Sequence, residues 1–362
     1  MDELPESDRL FDFTHPREQV DLIGHTAAEQ RLLQAYLSGK IHHGWIFGGP
    51  KGIGKATLAY RLARFILKHR DPTILDRTEH ETLFISPDDP VFKRVASRGH
   101  SDVFVACRQY DQKSKRLRSE ISAELVRKTT QFFARTAGEG GWRICIVDAA
   151  DDMNRTAANA LLKILEEPPE RALFILIAHA PRRLLPTIRS RCIGLTLNPL
   201  SQQDATQVVQ DQLQTRNIPP PDNLAELVDL SRGSPGRALA LLHGKGWTHF
   251  SDFKGLMADM PKLDQQACVA FAERLAVRGG EDEYALFFEL LSDWLATNIR
   301  RSATGQGGTQ HFMARERLGQ WSEAWEQITH SIGRSNALNL DRKQTILQTL
   351  YTLEETAVAA TR

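Results

Sequence analysis

Long apolar runs are missing from the 362-residue sequence. No stretch approaches the ~20 residues needed to cross a bilayer, which argues against a membrane protein. The amino end, MDELPESDRL, is acidic where a secretory leader would be basic and then apolar, so a cytoplasmic location is expected. Cysteine is scarce. Cys107, Cys145, Cys192 and Cys268 stand dozens of residues apart, whereas zinc modules bring their ligands in close pairs, so reduced thiols and no zinc are expected. A net charge is lacking too: Lys and Arg total 46 against 45 for Asp and Glu. The whole chain therefore has no field to draw in DNA, and any DNA contact must be local or shared with partners. Repeats and low-complexity tracts are absent. What is present is a globular composition, 41% apolar and 25% charged, in a chain long enough for two or three cores.

Between residues 41 and 198, short apolar runs alternate with amphipathic stretches: GWIFGGP, DVFVAC, RICIVDAA, LFILIAHA and CIGLTLNPL. β-Branched residues in short runs, separated by helical patterns, predict an α/β unit with a doubly wound parallel sheet. After Pro199 the strand signals stop. SQQDATQVVQDQL reads as a helix behind a Ser cap, IPPPD (218–222) as a loop, and HGKGWTHFSD (243–252) as a hinge. Beyond that, Phe287, Leu290, Leu291, Trp294 and Leu295 fall on one helical face. The expected loop there is 302–310.

The segment Gly49-Pro50-Lys51-Gly52-Ile53-Gly54-Lys55-Ala56-Thr57 follows a predicted strand and opens a helix. Glycines there let successive N–H groups turn toward a phosphate, the helix N-terminus adds positive potential, and Lys55 is placed for the β and γ phosphates. The residue after the lysine normally supplies a hydroxyl to Mg²⁺, and here it is Ala56. Thr57, about 100° further round the helix, is a poor substitute. Asp148, at the end of the strand ICIVD, fits the second metal-site element, but the next residue is Ala149. Asp151 and Asp152 read as a solvated helix start, and His42 and His43 as surface residues. The frame of a nucleotide site is thus present without two of its chemical parts.

The words NALLKILEEPP (159–169) and LLPTIRSRC (184–192), in this order behind the phosphate loop, resemble the bacterial clamp-loader family of AAA+ proteins. The resemblance implies an AAA+ α/β domain over 1–198, a helical lid over 199–246 and an all-α collar over 247–362. AAA+ ATPases usually carry a Glu after the strand Asp, where this chain has Ala149. The Ser190-Arg191-Cys192 triplet looks like the family's arginine-finger motif, which implies that Arg191 reaches a neighbour's nucleotide. A surface salt bridge is the alternative for Arg191, and a structural role is expected of Arg189. Arg237, in GSPGRAL, resembles a second sensor; an Arg paired near a helix start is the other reading. His179 stands where a first sensor is expected, or is a loop histidine.

Within the family the chain lacks the hydroxyl, the Asp-Glu pair and the inserted zinc module of the motor subunit, so it matches the subunit with a defective site. Motor (tau/gamma) and delta subunits in a hetero-pentamer, a sliding clamp and primed DNA are the implied partners. No cofactor is required, although the retained glycines and Lys55 leave weak ATP or ADP binding open. An active AAA+ ATPase is disfavoured by Ala56 and Ala149, and a P-loop kinase or transferase would leave the SRC triplet and the helical segments unexplained. Phe287, Leu291, Trp294, Trp321, Trp325 and Ile328 exceed what a small helical unit needs and are expected on a partner surface, with a self-contained core as the rival account.

Overall fold

The computed structural model describes residues 5–361 except 77–78, 135–136, 140, 244, 305–312, 314–316 and 339. Its chain divides into two compact units, Met1–Leu239 and Ala240–Arg362.

In the first unit the order is α1 (Thr26–Leu37), β1 (Gly44–Gly48), α2 (Lys55–His69), α3 (Pro90–Ala96), β2 (Val103–Cys107), β3 (Tyr110–Asp111), β4 (Arg116–Leu117), α4 (Ala123–Ala134) and β5 (Arg143–Asp148). It continues through α5 (Arg155–Glu166), β6 (Ala172–Ala178), α6 (Pro186–Arg189), β7 (Ile193–Thr196), α7 (Gln202–Thr215), α8 (Leu224–Ser231) and α9 (Pro235–His243), which crosses the boundary. All five expected strands form. They make one sheet in the order β2-β5-β6-β1-β7, and every pairing is parallel.

Alternation along the strands explains the two covered faces. Trp45, Phe47, Ile144, Ile146, Ile175 and Ile177 pack on one side with Leu32, Tyr36, Leu58 and Phe65 of α1 and α2. Ile46, Cys145, Val147, Phe174 and Leu176 point the other way, against Leu125 of α4, Leu161 and Leu165 of α5, and Ile188. A strand with both faces covered must be apolar throughout, as β1 and β6 are. The helix α5 starts at Asn154, whose side chain accepts from the Ala157 N–H. It ends at Glu166, where Pro168 and Pro169 cannot continue it. Ser201 caps α7 in the same way through the Asp204 N–H, and 218–222 is a loop as expected. All four cysteines are unpaired.

The second unit adds α10 (Gly246–Ala258), α11 (Gln265–Leu275), α12 (Glu281–Thr304), α13 (Leu318–Leu338) and α14 (Arg342–Thr361). Three expectations need correction here. The supposed hinge is mostly helix, because Phe250, Phe253 and Met257 of α10 are buried and their packing outweighs the local glycine. Of the supposed loop 302–310, Ser302 to Thr304 belong to α12, and 305–310 lies outside the described residues. Phe287, Leu291, Trp294, Trp321 and Ile328 are buried core, and Trp325 is half-buried with its indole N–H on the Ser292 hydroxyl at 2.9 Å. Edge-to-face rings join Phe253, Phe271, Phe287 and Trp294. The large side chains fill this unit's own interior, so their number does not mark a partner surface. No helix among the described residues is long and apolar enough to cross a membrane.

Candidate nucleotide site and the Arg191 edge

At the carboxyl edge of the sheet, β1 runs out at Gly48, level with Ala178 of β6, and Ile177 of β6 is level with Asp148 of β5. Open α/β sheets hold ligands at such an edge. The loop from Gly49 to Gly54 crosses it and leads into α2. Gly49, Gly52 and Gly54 all have positive φ (146°, 79° and 106°), as a loop needs whose N–H groups turn inward.

The loop is held from three sides. His25 Nε2 meets the Ile53 carbonyl at 2.6 Å. The Ser234 hydroxyl donates to the Lys51 carbonyl at 2.7 Å, and the Gly236 N–H donates to the Gly52 carbonyl at 2.9 Å. A Cβ on Gly236 would stand 2.7 Å from the Gly52 Cα, so only glycine permits the start of α9 to lie on the loop this closely. The Lys55 ammonium is buried and donates to the carbonyls of Gly49 and Pro50 at 2.7 and 2.6 Å. Burial brings its pKa down to about 8, against a partial opposing pull from Asp148 and Asp151. Asp148 is pushed up to about 7 by burial first and by the Asp8 and Asp152 carboxylates next, with Lys55 pulling the other way. Ala56 and Thr57 are half-buried on α2.

Asp151 and Asp152 are not a solvated helix start. They sit in a 3₁₀ turn, Ala150–Asp152, where Asp151 accepts the His179 N–H at 2.9 and 3.0 Å and the Ala180 N–H at 2.8 Å. Asp152 pairs with Arg108 at 3.0 Å. Thus Asp151 holds the end of β6, a role with no signal in the local sequence. His179 is brought to the same edge, its pKa lowered by burial and by the charge of Lys55. Arg237 is in the first turn of α9, where its N–H meets the Ser234 hydroxyl at 3.3 Å. His42 and His43 are half-buried rather than on the surface: their rings stack with centroids 4.2 Å apart, and His43 Nε2 meets the Leu165 carbonyl at 3.1 Å.

Arg191 lies apart from this loop, between α6 and the edge strand β7, and is half-buried. One guanidinium nitrogen donates to the Thr187 carbonyl at 2.9 Å, and the other meets Glu166 Oε1 at 2.7 Å. The salt bridge weighed from the sequence therefore exists, and its partner is the first Glu of the EEPP run. Arg189 is exposed. Elsewhere, Glu6, Asp8 and His15 come together, but His15 Nδ1 accepts the Arg17 N–H at 3.0 Å. Its Nε2 faces Asp8 at 3.3 Å and Glu6 at 3.5 Å, and Glu6 also pairs with Arg17 at 2.9 Å, so the three side chains are engaged with one another and with Arg17 in a clasp.

A phosphate-type loop after β1, a carboxylate two strands away with β6 between, and helices following the last strand define a P-loop ATPase fold of the AAA+ class. Sequence relatives narrow the class. A family model described as DNA polymerase III, delta subunit, matches residues 24–201. DNA polymerase III subunit delta' of Pseudomonas aeruginosa is 34% identical over 279 residues, 76% of this chain and 77% of that protein. The subunit delta' of Escherichia coli is 30% identical over 218 residues and 60% of each chain, so this chain spans under two thirds of that relative. Subunit tau of Escherichia coli is 26% identical over 280 residues, 76% of this chain and 40% of that one. A solved DNA polymerase III gamma subunit-related protein from Thermotoga maritima has 20% identity and a TM-score of 0.45, covering 91% of this chain and 99% of its own. The chain belongs to the clamp-loader family, in the line of DNA polymerase III subunit delta'.

Proposed function

We propose that the chain takes part in ATP-dependent loading of a sliding clamp onto primed DNA, in the cytoplasm, by lending Arg191 to the nucleotide of a neighbouring subunit. Its own site hydrolyses ATP negligibly. The observation that carries this reading is the pairing of an intact loop with two missing groups, Ala56 for the Mg²⁺ hydroxyl and Ala149 beside Asp148. Gly49, Gly52, Gly54, Lys55, Thr57, Asp148 and Arg237 would then form a degenerate site that holds ATP or ADP only weakly.

Arg191 suits its role because it stands at the free edge of the sheet with a planar, permanently charged fork. Glu166 and the Thr187 carbonyl hold that fork while leaving other N–H groups to face a phosphate. Partners on this reading are tau/gamma motor subunits, a delta subunit and the clamp, with residues 247–362 as the ring-forming collar. The test is ATPase activity in two settings. The isolated chain should hydrolyse ATP negligibly, and Arg191→Ala should lower the DNA-stimulated ATPase of the reconstituted complex without preventing assembly. Loss of such a finger costs on the order of 10³ or more in some GTPases, but other sites in a ring keep their own fingers, so the drop should be smaller. Turnover by the isolated chain that vanishes on changing Lys55, or unchanged complex activity with Arg191→Ala, defeats the reading.

A further inference from the structure

Between β2 and α4 the chain makes a two-stranded ribbon, β3 and β4, that the expected strands do not include. Tyr110 pairs with Leu117 and Asp111 with Arg116, and the Arg118 N–H continues the ladder to the Gln109 carbonyl at 2.9 Å. Strand alternation then places Arg116 and Arg118 on one face, ~6.8 Å apart, and Tyr110 and Leu117 on the other. Lys113 and Lys115 form the tip. All four cations are exposed, whereas Tyr110 and Leu117 are half-buried. None of the four forms an ion pair within 4.0 Å among the described residues. The ribbon's one carboxylate, Asp111, shares the face of Arg116 and Arg118; it accepts the Lys113 N–H at 2.9 Å and feels the charge of Arg118, so the face keeps a clear cationic excess.

The base of the ribbon is fixed. Arg108 pairs with Asp152 at 3.0 Å, the Ser7 hydroxyl donates to the Arg108 carbonyl at 3.0 Å, and the N–H of buried Ile121 donates to the Asp152 carbonyl at 2.8 Å. A charge run is most often a solvated face, but this one is concentrated on a narrow, anchored projection of a chain whose formal net charge is only +1.

We infer that the β3–β4 ribbon is a docking surface for the phosphate backbone of duplex DNA. A two-stranded ribbon fits a major groove ~12 Å wide. Duplex DNA offers one negative charge per ~1.7 Å of axis, a density that four cations on a short ribbon can meet at several points. An acidic protein partner fits less well, because protein interfaces are built on aromatic and apolar cores and are poor in Lys. The ribbon's two apolar side chains lie on the face away from Arg116 and Arg118. The inference does not depend on the arginine-finger reading: the ribbon follows β2, at one edge of the sheet, and Arg191 precedes β7, at the other.

The test is fluorescence anisotropy of the full-length chain with a labelled 30-bp duplex, over a salt series from ~50 to ~200 mM. The unaltered chain should bind at low salt, and binding should weaken steeply as salt rises. Combined Lys113→Gln, Lys115→Gln, Arg116→Gln and Arg118→Gln should reduce the slope of log K against log salt by about 3 to 4, at ~0.9 per contacted phosphate. Low-salt affinity should fall at least tenfold. All four side chains are exposed, so thermal unfolding should not move. A control removes four exposed cations of the second unit, Lys262, Arg278, Arg300 and Arg301, and should leave the slope nearly as it was. No binding by the unaltered chain, an unchanged slope in the ribbon variant, or an equal fall in the control overturns the inference. Ribbon-dependent binding of poly-glutamate at the same salt with none of the duplex would assign the surface to an acidic protein instead.

Discussion

Replacing Asp148 by Asn should stabilise the first unit, and by an amount that depends on pH. The carboxyl stands at the end of β5 with its pKa pushed from 3.8 to about 7, burial being the largest cause. Below 3.8 both folded and unfolded chains hold the proton, and the group contributes nothing to stability. Between 3.8 and about 7 the unfolded chain releases the proton while the folded chain keeps it, so stability falls as pH rises. Above about 7 both forms are ionised and the penalty is constant. At about 1.36 kcal/mol per unit, the full penalty is on the order of 4 kcal/mol, and the part that develops above pH 5 is roughly 3 kcal/mol. Lys55 offsets some of this, because its ammonium loses an attractive partner in the Asn variant. A net gain about 2 kcal/mol larger at pH 8 than at pH 5 is therefore expected. Urea denaturation of both proteins at both pH values measures it, with the change in midpoint taken at constant slope. Comparing the two pH values cancels the effect of shape and of lost hydrogen bonds. An equal ΔΔG at pH 5 and pH 8 would refute the argument that the fold holds a destabilised carboxyl here.

Gly236→Ala drives a methyl to 2.7 Å from the Gly52 Cα, backbone against backbone, and should cost about 1–3 kcal/mol in urea unfolding; a neutral result means that α9 does not rest on the loop. Asp151→Ala leaves the His179 and Ala180 N–H groups without their acceptor and should cost about 2–3 kcal/mol, read in the same assay. Trp321→Ala empties a fully buried site in the second unit and should lower stability by about 3–5 kcal/mol in the isolated chain, whereas a partner-surface tryptophan would leave it unchanged. Glu166→Gln breaks a pair between half-buried Arg191 and exposed Glu166 at the surface, so stability should move by less than ~1 kcal/mol; any loss of ATPase in the reconstituted complex then reports on the orientation of Arg191.

The five parallel strands, the phosphate loop and the carboxylate at Asp148 were legible in the chain because they rest on local physics. Apolar runs bounded by turns, glycines at fixed spacing and a helix start are all encoded within a few residues of one another. The same holds for Ala56 and Ala149, since chemistry that a methyl cannot perform is missing in any fold. Long-range contacts decided the rest. That Asp151 secures the end of β6, that Ser234 and Gly236 lie on the loop, and that Glu166 meets Arg191 depend on segments 28, 183 and 25 positions apart, which no local pattern brings together. The second unit shows the limit most clearly. Its large aromatic side chains have the same periodicity whether they face a core or a partner, and only the packing of α10, α11, α12 and α13 around one another buries them at home. The ribbon of β3 and β4 has too few residues for alternation to announce it. Its strands pair with each other, and the flanking Arg108 and Ile121 are tied to Asp152, a contact across some 30 to 45 positions that anchors the projection carrying the four cations.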